Sequence, residues 1–271
     1  MVSLSLECPE TETELLSAEL WDHGATGIQE EDLPGGRVRL RAWFNSADGL
    51  VACFSAYRPA LRQEEDIDWE AVSRQAWQPV AVGARFYLAP EWDESDTPAG
   101  RMRLTVHPGM ALGTGDHPAT RLALVALEKH LRPDERILDV GTGTGILLAA
   151  AYLLGARGAG CDIDFDSART ARQNLIQDVH PPRVFAGSLR AVASGSADVV
   201  VANINAATHR LLAAEYARVA RRRVILTGFP EAHEESVKQA LWKLGWQPAD
   251  RVTDKEWVCL TLAQATDSPN Y

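Results

Sequence analysis

The chain predicts an α/β fold, a doubly wound sheet preceded by a small α+β module. Three observations carry that prediction. From about residue 119 helical and strand patterns alternate, the order that builds a sheet covered on both faces. Arg136-Ile137-Leu138, the turn Asp139 to Gly145 and the apolar stretch from Ile146 to Leu154 read as strand, glycine turn and helix. Ahead of them, residues 3–57 run strand, helix, strand, strand, helix.

Each element has a local reason. Residues 3–8 alternate apolar and polar as a half-buried strand does. A helix is predicted over 9–23. Thr11 and Thr13 stand near its start, acids fill the first turn, Leu15, Leu16, Leu20 and Trp21 form a stripe, and Gly24 stops it. Strands at 25–31 and 37–44 flank a turn at Leu33 to Gly36, and 47–57 reads as a helix. That order resembles a ferredoxin-like module, predicted for residues 1–60. Residues 61–100 are predicted to connect it to the rest, through the acidic run Glu64 to Asp68 and a polar loop at 93–100. The second domain is predicted over 101–264. It opens with a strand at 101–106 and a helix at 118–130. Strands follow at 136–140, 158–162, 182–186, 197–203 and 222–228, with helices at 145–155, 166–177, 206–220 and 231–244 between them. Residues 246–252 and 256–263 read as a closing hairpin, and 265–271 as a disordered tail.

Composition narrows the class. A chain of 271 residues with 46% hydrophobic content can bury a real core. No apolar run approaches the roughly 18–20 residues a bilayer span needs, and the amino terminus lacks a signal-peptide pattern. Cys8, Cys53, Cys161 and Cys259 form no C-x-x-C pair, so reduced thiols, a cytoplasmic location and no metal site are expected. Residues 1–68 hold 14 acidic and 5 basic side chains, a net of −9 in a chain of net −10. That imbalance disfavours nucleic acid as a direct partner there, and suits either a basic partner or a solubilising surface. The run Arg221 to Arg223 could touch RNA, but a helix C-terminus commonly carries such charges, and that reading is favoured.

Three segments carry chemistry. In Asp-Val-Gly-Thr-Gly-Thr-Gly, Gly141, Gly143 and Gly145 are spaced G-x-G-x-G. A dinucleotide fingerprint needs its third glycine where Ile146 stands. The next strand ends at Asp162, an acid placed to hold both hydroxyls of a ribose. The loop Pro108 to Thr120 brings glycines, the hydroxyls of Thr114 and Thr120, and His117 over the strand ends. The strand at 197–203 ends in Asn203. Its side-chain carbonyl can accept a hydrogen bond from an amine, and Asn203 or Asn205 can also cap the next helix.

The glycine turn and acidic strand end resemble class I methyltransferases that use S-adenosylmethionine. The whole pattern resembles one family closely, the methyltransferases of large-subunit ribosomal protein eleven. Its marks here are the Asp-Trp at Asp68-Trp69 and a later Trp77, Pro90-Glu-Trp92, the Gly-Thr-Gly-x-His-x-x-Thr loop at Gly113 to Thr120, and the glycine turn. Asp162-Ile-Asp164, Ala202-Asn-Ile204 and Glu256-Trp257 complete it. The loop departs from the family at Leu112 and Ala119, and the turn at Thr142 and Thr144.

The resemblance implies a Rossmann-like seven-stranded sheet and S-adenosylmethionine as cofactor, in contact with Thr120, Gly141, Asp162 and Asn203. Gly143, Thr114 and His117 would line the same pocket. Asn203 would act in catalysis, and His117 is a candidate base. The implied substrate is large-subunit ribosomal protein eleven, methylated on lysine side chains and its N-terminal amine while docked on the acidic N-terminal domain of a monomer. The alternative is a methyltransferase of this fold acting on another protein lysine or a small amine. A nicotinamide-dependent oxidoreductase is disfavoured by Ile146 and by the terminal hairpin.

Overall fold

The computed structural model describes residues 2–63, 78–107 and 117–264. The acidic run at 64–68, Thr114 with most of its loop, and the tail at 265–271 lie outside the described residues. The chain divides into two compact units, Met1–Val72 and Ser73–Tyr271.

The first unit is a four-stranded antiparallel sheet in the order β2-β3-β1-β4. Its strands are β1 (Val2–Pro9), β2 (Gly27–Leu33), β3 (Arg37–Phe44) and β4 (Ala60–Gln63). Strand alternation sorts the side chains. Val2, Leu4, Leu6 and Cys8 of β1 and Val38, Leu40, Ala42 and Phe44 of β3 are buried in one core with Leu16 and Leu20 of helix α1 (Thr13–Asp22). Glu7 and Arg37, Arg39 and Arg41 alternate with them and belong to the other face. There Arg39 reaches Glu7 at 2.8 Å and Glu31 at 2.9 Å. Arg62 pairs opposite Ser3. Arg58 and Arg62 line one cleft with Arg39 and Arg41. Every arginine among residues 1–68 therefore lies on or beside one sheet face. Strand β4 departs from the sequence expectation. Its four residues are all exposed, so no apolar alternation announced it. The predicted helix at 47–57 is a single turn, α2 (Leu50–Cys53), followed by a 3-10 turn at Ser55–Tyr57. Gly49 enters α2 at φ 74°, and Asp48 N–H donates to Ser46 Oγ at 3.1 Å, a local turn that delays the helix.

The second unit opens with a three-stranded sheet of β5 (Val80–Val82), β6 (Phe86–Pro90) and β7 (Met102–Val106), in that order. Much of this segment was expected to be connecting chain. Phe86 and Leu88, alternating along β6, are fully buried.

The main sheet has seven strands in the order β10-β9-β8-β11-β12-β14-β13. They are β8 (Arg136–Val140), β9 (Arg157–Asp162), β10 (Val184–Ala186), β11 (Ala197–Asn203), β12 (Ala220–Pro230), β13 (Trp246–Asp254) and β14 (Trp257–Gln264). The first five are parallel, and β14 runs antiparallel to both β12 and β13. Helices α3 (Pro118–His130) and α4 (Ile146–Leu153) pack on Ile137, Val199, Val201 and Ile225. On the opposite face, Ala213 and Tyr216 of α6 (Ala206–Val219) and Val237 and Leu241 of α7 (Glu234–Trp242) pack on Leu138, Val200, Ala202 and Leu226. A strand buried on both sides must be apolar throughout, which is why residues 199–202 read Val-Val-Val-Ala.

The chain steps outward from β8 through β9 to β10, then returns to β11 on the other side of β8. The carboxyl ends of β8 and β11 thus open a crevice at a reversal of strand order, where open α/β sheets bind ligands.

Candidate active site

The glycine turn leaves β8 and enters α4 with Gly141, Gly143 and Gly145 at φ 69°, 54° and 84°. L-residues with a Cβ strongly disfavour this left-handed region. Gly141 and Thr142 N–H donate to the Cys161 carbonyl at 2.9 and 3.1 Å, which binds the turn to β9. Beneath it, a Cβ on Gly160 would lie 2.7 Å from Thr142 Oγ1, so the strand must present a glycine there.

Asp162 ends β9 beside that turn. Its Oδ2 accepts from Gly143 N–H at 3.0 Å and its Oδ1 from Asp164 N–H at 3.1 Å. Two backbone donors fix the carboxylate while each oxygen keeps a further lone pair for a hydroxyl. Asp164 caps helix α5 (Phe165–Gln177) through Ser167 N–H at 2.9 Å. Ile163 lies between these two acids with 83% of its surface exposed. It is an apolar side chain left open beside the anchored Asp162 carboxylate. Reading the motif for its acids alone passed over it.

Asn203 ends β11. Its Nδ2 donates to Thr120 Oγ1 at 3.2 Å, joining two residues 83 positions apart in sequence. Thr120 is buried in the first turn of α3. With the amide nitrogen so engaged, Oδ1 remains as an acceptor. Helix capping falls to Asn205, whose Oδ1 accepts from Thr208 N–H at 2.9 Å, so the two asparagines divide the roles left open by the sequence. His117 is the cap of α3. Its Nδ1 accepts from Ala119 N–H at 3.2 Å, and its ring meets the Trp257 ring edge-on with centroids 4.3 Å apart.

Two further residues complete the geometry. Gly228 of β12 has φ 93°, and a Cβ there would lie 2.5 Å from the Ile204 carbonyl oxygen, 2.6 Å from its nitrogen and 2.8 Å from Asn203 Oδ1. Only a glycine lets β12 pass under Asn203. A Cβ on Gly141 would meet Ile204 Cγ2 at 2.6 Å from the other side. Asp139 is fully buried below the glycine turn. Thr142 Oγ1 donates to its Oδ2 at 2.7 Å, and its Oδ1 lacks a hydrogen-bond partner. Burial pushes its pKa up to about 7, Asp162 adds to the rise, and Thr142 opposes it. Among the described residues no group of three or more His, Cys, Asp or Glu side chains is placed to hold a metal.

The reversed strand order, the antiparallel closing pair, the glycine turn bound to an acid and the amide at the next strand end define a class I methyltransferase. The profile of the ribosomal protein L11 methyltransferase (PrmA) family matches residues 37–265. The chain belongs to that family, whose enzymes transfer a methyl group from S-adenosylmethionine to lysine in ribosomal protein L11. It is 36% identical over 250 residues to the ribosomal protein L11 methyltransferase of Thermus thermophilus, covering 90% of this chain and 92% of that one. The Myxococcus xanthus enzyme of the same name is 32% identical over 282 residues, covering 96% and 98%. The crystal structure of a ribosomal protein L11 methylase from Lactobacillus delbrueckii subsp. bulgaricus superposes with a TM-score of 0.65 at 26% identity, over 69% of this chain and 99% of that one.

Asp139, a carboxyl that titrates at about 7, lies below the turn with Oδ1 lacking a hydrogen-bond partner. A cation bound beside it favours the ionised carboxylate. Cofactor binding should therefore release a proton, and affinity should climb as pH rises from 6 towards 8 through the Asp139 pKa of about 7. Calorimetric titration in buffers of different ionisation heat measures both effects. Affinity that stays flat across that range, with no proton released, would place the cation away from Asp139.

Proposed function

We propose that Asn203 Oδ1 and the Ile204 carbonyl form the acceptor pair that orients the substrate amine for methylation. The observation carrying this reading is the hydrogen bond from Asn203 Nδ2 to Thr120 Oγ1, which leaves the side-chain carbonyl oxygen as acceptor. S-adenosylmethionine supplies a methyl group on a positively charged sulfur. We assign Asp162 to the ribose hydroxyls, Ile163 to the base, and Gly141, Gly143 and Thr120 to the walls of its pocket, with Thr114 in the adjoining loop. An amine whose hydrogens are held by two carbonyl oxygens directs its lone pair away from them, towards the methyl carbon. The new carbon–nitrogen bond forms as the carbon–sulfur bond breaks, and the product amine then sheds its proton. Positioning provides most of the acceleration in such a displacement.

The attacking amine must be neutral, and a lysine amine titrates near 10.4 in water. A desolvated pocket lowers that value. His117 is a poor base in this arrangement. Its Nδ1 is engaged by the helix cap, so Nε2 carries the proton of the neutral ring and donates. We therefore place His117 in the pocket wall.

We also propose that the first unit docks the substrate protein. A net of −9 over residues 1–68 suits a basic partner. Because the arginines gather on one sheet face, Glu12 and exposed Glu19, at the helical side, are the acids we assign to docking. The enzyme acts as a cytoplasmic monomer without help from nucleic acid. Its targets include the substrate's N-terminal amine as well as lysine side chains.

Intact-mass analysis of recombinant ribosomal protein L11, incubated with this enzyme and S-adenosylmethionine, tests the whole reading. Mass should rise in whole methyl steps. Asn203→Ala should slow the steps by roughly 10²-fold in kcat, the size of losing one oriented polar contact in a transition state. A variant with normal kcat would refute the acceptor role, and an unmodified substrate with the wild-type enzyme would move the target to another protein lysine.

A further inference from the structure

His209 is a buried titratable group that the chemistry above leaves unused. It stands in the first turns of α6, and its ring is fully buried. Nε2 lies 2.8 Å from the Thr227 carbonyl oxygen and Nδ1 lies 3.2 Å from the Tyr216 hydroxyl. A carbonyl only accepts, so Nε2 carries the proton and Nδ1 accepts from the tyrosine. The ring also meets Phe229 edge-on, with centroids 5.3 Å apart. Burial lowers its pKa to about 4 against the opposing influence of the Thr227 and Ile204 backbone carbonyls, which keeps the ring neutral at physiological pH.

What the ring holds is informative. The Thr227 carbonyl accepts a second hydrogen bond, from Ile204 N–H at 3.0 Å. Thr227 is the register partner of Asn203 across β11 and β12. The next residue, Gly228, is the one whose missing Cβ lets Ile204 and Asn203 Oδ1 approach. One buried imidazole thus anchors the carbonyl on which the Asn203–Ile204 corner hangs. A side chain that only filled this space would be apolar, because burying two ring nitrogens has a desolvation cost that an aliphatic or phenyl group avoids.

We infer that His209 is a positioning residue for methyl transfer, bracing the Thr227 carbonyl and through it the Asn203–Ile204 acceptor pair. This inference rests on the reading of that pair as the amine's acceptors. The brace is neutral, so it adds no positive charge near a cationic cofactor. Its two partners lie on different elements, Thr227 on β12 and Tyr216 on α6, so the ring ties the start of the helix to the strand under the active corner.

The test compares His209→Phe, which keeps the shape and loses the donor, with His209→Gln, whose amide N–H can still reach the carbonyl. For the Phe variant kcat should fall about tenfold while KM for ribosomal protein L11 and the Kd for S-adenosylmethionine stay within about twofold, the signature of a lost transition-state contact. The Gln variant should recover most of that loss. In an Asn203→Ala background, His209→Phe should lower kcat by less than about threefold, because residues acting through one another are not additive. Normal kcat in His209→Phe, equal losses for Phe and Gln, or a full tenfold loss in both backgrounds would overturn the brace. Normal kcat in Asn203→Ala alone would overturn the acceptor reading instead. If the Phe variant does not fold, His209→Asn replaces it. That amide is too short to reach Thr227, and kcat should fall tenfold below that of the Gln variant; equal rates would overturn the brace.

Discussion

Asp162→Ala should weaken S-adenosylmethionine binding by roughly 10- to 100-fold, the range set by about 1.5–3 kcal/mol for hydrogen bonds to a charged group. The carboxylate is pre-aimed. Gly143 and Asp164 N–H hold one oxygen each, so little conformational freedom remains to be lost when a ligand hydroxyl arrives. Alanine removes the acceptor and frees the Gly143 amide, so the glycine turn loses a tether as well. The loss should appear in the calorimetric Kd and in KM for the cofactor, with kcat at saturation much less affected. Asp162→Asn should fall between the two, since it keeps one acceptor oxygen without the charge. A change below threefold for the alanine variant would mean that the ribose is held elsewhere.

Gly228→Ala should act on turnover. The added Cβ would meet backbone atoms of Ile204 at 2.5 and 2.6 Å and Asn203 Oδ1 at 2.8 Å, and the residue already sits at φ 93°. The Ile204 nitrogen is bonded to the Thr227 carbonyl, so the corner has little room to yield. A displaced Asn203 misaligns the amine, and kcat should fall by about 10²-fold, equivalent to about 2.7 kcal/mol in the barrier. Gly245→Ala supplies the comparison. That glycine has φ 86° with nothing within 4 Å of its Cβ position, so alanine there meets only backbone strain. It should lower stability in a denaturant titration and leave kcat near wild type. Equal kcat for the two variants would show that close approach at Gly228 does not position Asn203.

Elements with a clear burial pattern, on one face or on both, were legible in the sequence. The parallel strands of the main sheet, their helices and the closing hairpin were all expected near where they stand. The acidic strand end, the glycine turn and the asparagine could be marked out as candidates because each is a short motif whose chemistry is local. Gly228 was not marked out, because its requirement comes from Ile204, which precedes it by 24 positions in sequence and touches it only in the folded sheet. His209 was silent for the same reason, since nothing near it in sequence reveals the Thr227 carbonyl. Strand β4 was hidden by the exposure of all four of its residues, and β5, ahead of the expected strand at 101–106, by its length of three residues. The negative total over residues 1–68 also concealed a pattern. Summed charge cannot tell which face of a sheet its arginines share.

Ile204 stands between two glycines, one in the turn after β8 and one on β12, with its Cγ2 against the Gly141 position and its backbone against Gly228. In the reading proposed above, the first contact belongs to the turn assigned to the cofactor and the second to the corner assigned to the amine. A ligand that shifts Ile204 on one side alters the packing on the other, which couples the two sites. Whatever factor a bound cofactor applies to amine affinity, a bound amine must apply to cofactor affinity. On that reading a single isoleucine joins the two half-sites in one equilibrium, in which the order of arrival alters rates and leaves the final free energy of the ternary complex untouched.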